Sequence, residues 1–107
     1  MKQIIINIAR DFSRYPAGRF PSDGPFNGTL FRKKFLIPSL SQQDRVIVEL
    51  DGVRGLGSSF LEEAFGGLLR AGVTIDTINT KLKFVASDQS LIDEIQGYMR
   101  EQAETRS

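Results

Sequence analysis

The stretch from Val46 to Arg70, VIVELDGVRGLGSSFLEEAFGGLLR, constrains the fold more than any other part of the sequence. Residues 45 to 50 (RVIVEL) are β-branched and apolar, as expected of a central strand covered on both faces. Gly52, Gly55 and Gly57 then break the chain. From Ser59 to Ala71 the residues Phe60, Leu61, Ala64, Phe65, Leu68 and Leu69 recur at helical spacing and make one apolar stripe. A strand, a tight turn and a helix in that order call for a sheet with helices packed over it. The preferred right-handed crossover makes the 59–71 helix a bridge between two parallel neighbouring strands.

The flanking segments extend this pattern. Residues 3 to 9 (QIIINIA) form an isoleucine-rich strand. Between Arg10 and Gly28 the chain is punctuated by Pro16, Gly18, Pro21, Gly24, Pro25 and Gly28, which predicts a long ordered loop. Leu30, Phe31 and Phe35 place a first helix over 29–37, ended by Pro38. A short apolar stretch, 72–78, precedes a strand over 81–86 (KLKFVA). Ser87 or Asp88 caps a last helix with Leu91, Ile92, Ile95, Met99 and Ala103 inward, and 104–107 form a frayed tail. The expectation is one α/β domain over 1–103, with a mixed, largely parallel sheet and three to four helices.

Composition narrows the chemistry. The 107 residues contain neither histidine nor cysteine, so imidazole bases, thiolate ligands and disulfides are excluded. Adjacent carboxylates such as Glu62-Glu63 and Asp93-Glu94 point in different directions on a helix and read as solvated faces. No enzyme, cofactor or metal site is expected. No run approaches the roughly 20 apolar residues of a membrane span, and no signal peptide is visible, so the chain reads as cytoplasmic with no membrane partner. A net charge of +1 gives no strong attraction to nucleic acid. The charge is uneven: residues 1 to 45 carry +5 and residues 46 to 107 carry −4, so the two halves can attract each other or different faces of a partner.

The candidate site is the start of the 59–71 helix. Ser58 and Ser59 stand where unpaired backbone N–H groups favour a hydroxyl or a phosphate. Ser59-Phe60-Leu61-Glu62 also matches the S-x-x-E capping box, worth about 1 kcal/mol, which explains Ser59 but leaves Ser58 without a structural role. Gly67 sits at the edge of the apolar stripe and suits close packing, whereas Gly66 falls on the polar face with Glu62, Glu63 and Arg70, where bare backbone suits a partner surface. The expected partner face is therefore Gly57, Ser58, Phe60, Glu62, Glu63, Gly66 and Arg70. A second reading uses the loop: Arg14, Arg19 and Arg32 as cations for an anion or nucleotide, against an internal Arg19–Asp23 pair with Asn27 or Gly28 starting the helix. Phe20 and Phe26 anchor that loop on the core or on another subunit.

LDGVRGLGSSFLEEAFGGLL resembles the strand-turn-helix signature of STAS domains, the fold of anti-sigma factor antagonists and of the cytoplasmic tails of sulfate transporters. The resemblance places Gly57, Ser58, Ser59, Phe60 and Leu61 on that family's Asp-Ser-Ser-Gly-Leu turn, so it implies Ser58 as phosphoacceptor for a partner kinase. PAGRF, SDGPFNG, LFR and SSFLEEAFGGL are similar to the bacterial STAS-like family of unknown function, whose members accompany histidine-kinase-like ATP-binding proteins. The implied role is a signalling module that binds a histidine-kinase-like ATPase or an anti-sigma-like factor, as a monomer or weak homodimer.

Overall fold

Burial alternates along the strands of the sheet, and the buried side is the one the helices cover. The computed structural model describes residues 1–105. Strands β1 (Gln3–Asn7), β2 (Arg45–Glu49) and β3 (Leu82–Val85) lie side by side in sequence order and are parallel throughout. The register sets Ile4 beside Val46 and Leu82, and Ile6 beside Val48 and Phe84. Ile6, Val46, Val48 and Leu82 are buried, whereas Ile5 and Val85 are 45% and 49% exposed on the opposite face. With strands in the order 1-2-3, the right-handed preference of parallel crossovers puts both connections on one side, as the one-sided burial requires. The other face is open to solvent, and β2 is covered on one face, not on both as its composition suggested.

The first crossover carries helix α1 (28–42), built from Gly28–Phe31, a π-helical turn at Arg32–Leu36, and Ile37–Gln42. Pro38 does not end it. The π-turn passes the Ile37 N–H to the Arg32 carbonyl five residues back, and the widened turn accommodates the proline ring that a regular helix would exclude. The second crossover carries α2 (58–70), assembled from Ser58–Leu61, a π-turn at Glu62–Gly66, and Gly67–Arg70. A short helix follows, α3 (Ile75–Lys81), started by the Thr74 hydroxyl accepting from the Thr77 N–H. This helix takes up Ile75–Ile78 of the apolar stretch expected before the strand, and Lys81, which the sequence placed in that strand, ends it. The last helix, α4 (Gln89–Thr105), begins behind Asp88, whose carboxylate accepts from the Ser90 N–H, and runs two residues into the expected frayed tail. Residues 106 and 107 of that tail lie outside the described residues.

The core lies between the sheet and the helices. Phe31, Phe60 and Phe65 are sealed in it, with Phe12, Phe35 and Phe84 packed around them at ring-centroid distances of 5.1 to 6.2 Å. Burial is continuous along α2 from Glu63 to Leu69. Helix α1 covers one side of this helix and α4 covers another.

Candidate functional site

The loop between β1 and α1 is ordered by its own short polar side chains. Gly18 takes φ 84°, and the Asp23 carboxylate accepts from the Arg19 and Phe20 N–H groups at 2.9 and 3.0 Å. These bonds lower the Asp23 carboxyl below its ordinary value. Gly28 donates to the Gly18 carbonyl and Thr29 to the Arg19 carbonyl, folding the loop back on the start of α1. Asn27 caps α1 as expected, its Oδ1 accepting from the Leu30 N–H. Phe26 packs edge-on to Phe12 and so anchors the loop on the core, while Phe20 is 49% exposed.

So ordered, the loop delivers the Arg19 guanidinium to α2 and not to Asp23. Arg19 Nη1 reaches Glu62 Oε1 at 2.5 Å and stands 3.8 Å from Glu63. Arg32, buried on α1, donates to the Glu63 carboxylate at 2.8 Å and to the Glu63 backbone carbonyl. Arg70 closes the set, forking onto both Glu62 oxygens at 2.7 and 3.1 Å and reaching Glu63 at 3.3 Å. Bonding by Arg70 first, and then by Arg19, lowers the Glu62 carboxyl below its ordinary value, and Glu62 in turn raises the Arg70 guanidinium. Three arginines thus enclose two glutamates. The basic N-terminal half and the acidic C-terminal half attract each other across this network.

The network corrects several expectations. Glu62 and Glu63 are not solvated, because α1, the loop and α4 crowd the face that a lone amphipathic helix would show to water. Glu62 and Glu63 are ion-paired beneath this face and present no free carboxylate, while Arg70, though exposed, is paired with both of them. Arg19 and Arg32 are spent on these carboxylates, so they do not converge with Arg14 on an anion site; Arg14 lies exposed and apart. Phe60 is fully buried.

Gly66 is buried as well. A Cβ there would lie 2.7 Å from Glu62 Oε2 and 3.6 Å from Gln102 on α4. Regular 100° steps place Gly66 opposite the core, but the π-turn rotates the residues after it, and α4 covers that side. Gly67 has a different reason for being glycine: the Arg32 guanidinium crosses its surface, where a Cβ would clash. Gly28 lets α1 approach α2, since a Cβ there would meet the Phe60 carbonyl at 2.8 Å.

The tip of α2 is built differently. Gly52 and Gly55 adopt positive φ in the turn after β2, and Gly57 occupies the N-cap position with no side-chain hydrogen bond. The helix begins at Ser58, so Ser59 stands inside the first turn and the expected capping box does not form. Glu62, the other half of that box, is held by Arg70 and Arg19. Both serines are exposed. Ser58 instead sits against the Tyr98 phenol of α4, whose hydroxyl donates to Glu94 Oε2. That bond, with some help from burial, pushes the Tyr98 phenol up to about 12. Tyr98 and Glu94 were not anticipated as neighbours of the site. Their i, i+4 spacing reveals the pair itself, but only the folding of α4 against α2 brings it to Ser58.

The family model described as a STAS-like domain of unknown function (DUF4325) matches residues 27–91, more than half of the chain, from the cap of α1 into α4. The chain belongs to this STAS-like family. Its matched region holds α1, β2, the glycine turn, α2, α3 and β3. No curated protein and no solved structure matches the chain. Among the described residues, no helix is long and apolar enough to cross a membrane.

Proposed function

We propose that this STAS-like domain is a non-enzymatic, cytoplasmic signalling module that docks onto a protein partner through the tip of α2, residues 55–59, with Ser58 as a phosphoacceptor. The observation that carries this reading is the pair of exposed serines at a helix start that neither of them caps. Neither hydroxyl caps the helix, and among the described residues Ser58 meets only the Tyr98 phenol of α4, so the exposed pair is free for another role. Gly55 and Gly57 leave open space around the turn, with nothing within 4 Å of a Cβ built on either, so a partner's backbone can come close. The docking surface differs from the one the sequence suggests: of the expected face it keeps Gly57 and Ser58 and adds Ser59, while Phe60, Glu62, Glu63 and Gly66 are buried or paired, and Arg70 is held by Glu62.

The partner class implied by the family resemblance is a histidine-kinase-like ATPase or an anti-sigma-like factor. A phosphate on Ser58 would add about −1.5 to −2 charges at a helix N-terminus, where the first-turn N–H groups and the dipole favour it. It would also stand beside the Tyr98–Glu94 pair and repel the Glu94 carboxylate. Phosphorylation therefore changes the charge of the docking tip and disturbs its contact with α4 together.

The test is affinity capture of the untreated partner with wild type, Ser58→Ala and Ser58→Asp, combined with mass spectrometry of Ser58. The expected result is retention by Ser58→Ala, at least about a tenfold loss by Ser58→Asp, and melting temperatures that agree. Equal affinity of Ser58→Asp and wild type would reject the switch.

A further inference from the structure

A groove of about 750 Å³ runs between α3 and α4, with β3 as its floor. Ile78, Leu82, Ile92 and Met99, all nearly sealed beneath it, supply its apolar base, and Phe84 lies along it. Along α4 it is lined from Gln89 to Glu104, which at 1.5 Å per residue is about 22 Å. A strand of about six or seven residues has that length.

The floor is a free sheet edge. β3 pairs with β2 on one side and with no strand on the other among the described residues. Leu50 donates its N–H to the Val85 carbonyl, so the backbone groups of Val85 and, two residues back, of Lys83 face β2. By the alternation of a strand, the N–H and C=O of Phe84 face away from the sheet, toward the groove. An apolar small molecule or a docked helix offers nothing to these groups. An extended peptide does.

The charges choose among extended peptides. Lys83 and Arg100 line the groove, Arg100 carries no hydrogen bond or ion pair among the described residues, and Glu104 is the one acidic side chain along it. A second copy of the chain would bring its own Lys83 and Arg100 against these, like charge on like, and lysine on an edge strand discourages such pairing. We infer that the β3 edge and the α3–α4 groove form a second docking site, which adds an extended partner segment of alternating apolar and acidic residues as a fourth strand. Apolar side chains of that segment fill the groove over Met99 and Ile92; its carboxylates alternate to the open face of the sheet, where the Lys83 side chain lies, and the exposed Arg100 on α4 adds positive charge beside the groove. This site does not rest on the serine tip of α2 and stands or falls apart from it.

A fluorescein-labelled octapeptide alternating valine and glutamate, titrated into the full chain and followed by anisotropy, tests it. Saturable binding is expected, together with slowed hydrogen exchange at the Phe84 amide. Methylating every second peptide nitrogen on the pairing edge should weaken binding at least about tenfold, because only strand addition uses those groups. The surface variant Lys83→Glu with Arg100→Glu should lose the glutamate peptide to a similar extent and bind a valine–lysine peptide instead. Equal affinity of the N-methylated peptide, or no saturation at millimolar concentration, would overturn the site. A free protein that sediments as a dimer with Phe84 already protected would overturn it too, by giving the edge to a second copy.

Discussion

Two helix starts in this molecule obey opposite rules. At the start of α1, Asn27 is 2% exposed; its carbonyl oxygen caps Leu30 and its amide donates to the Gly24 carbonyl, so every polar atom has a structural task. At the start of α2, the cap position is a glycine, and the two residues best able to cap stand one and two positions too late, exposed. Thr74 and Asp88 serve α3 and α4 as Asn27 serves α1. Among the helices α1–α4 of the described residues, only α2 starts without a side-chain cap. Its stability comes from further along, where burial and the Arg–Glu network grip its middle, and this leaves the tip free for recognition.

The contrast between gripped middle and free tip can be broken at several points. The largest expected effect is Glu63→Ala, which leaves the buried Arg32 guanidinium without its carboxylate; about 3–5 kcal/mol should be lost in urea unfolding. A loss below 1 kcal/mol would mean that the network does not hold α2. Next comes Asn27→Ala, which removes a buried cap and an amide bond together and should cost about 1–2 kcal/mol by the same measurement.

A smaller effect sharpens the comparison through pH. Arg70 and Arg19 hold the folded Glu62 carboxyl below its ordinary value of 4.5. The stabilisation is therefore fully present above that value and fades as pH falls below it through the folded pKa. Melting temperatures taken between pH 6 and pH 3 should fall less steeply for Glu62→Gln than for wild type. Parallel slopes would show that Glu62 titrates alike in the folded and unfolded chain.

Much of the architecture was legible because it follows from local pattern. The β-branched run at 45–50, the glycine break and the apolar stripe of α2 each depend on neighbours in sequence, and Asn27 followed by Gly28 is a helix start on any reading. The site was less legible, since its decisive contacts are long-range. Arg19 and Glu62 are 43 residues apart and Arg32 and Glu63 are 31 apart, and no periodicity announces them. The π-turns mattered as much: one extra residue in the turn at Glu62–Gly66 carried Gly66 from a presumed outer face to a covered one, and another before Pro38 let α1 continue. Helix α3 escaped notice because its seven residues are too short for a periodic signal, and Val73, Ile75 and Ile78 are as common in strands.

The most direct test of the free tip is the melting temperature of the double variant Ser58→Ala with Ser59→Ala. If neither hydroxyl carries structural load, the midpoint stays within about 2 °C of wild type. A fall of about 5 °C or more would show that the serines hold the helix start after all, and the case for reserving them for a partner would be lost.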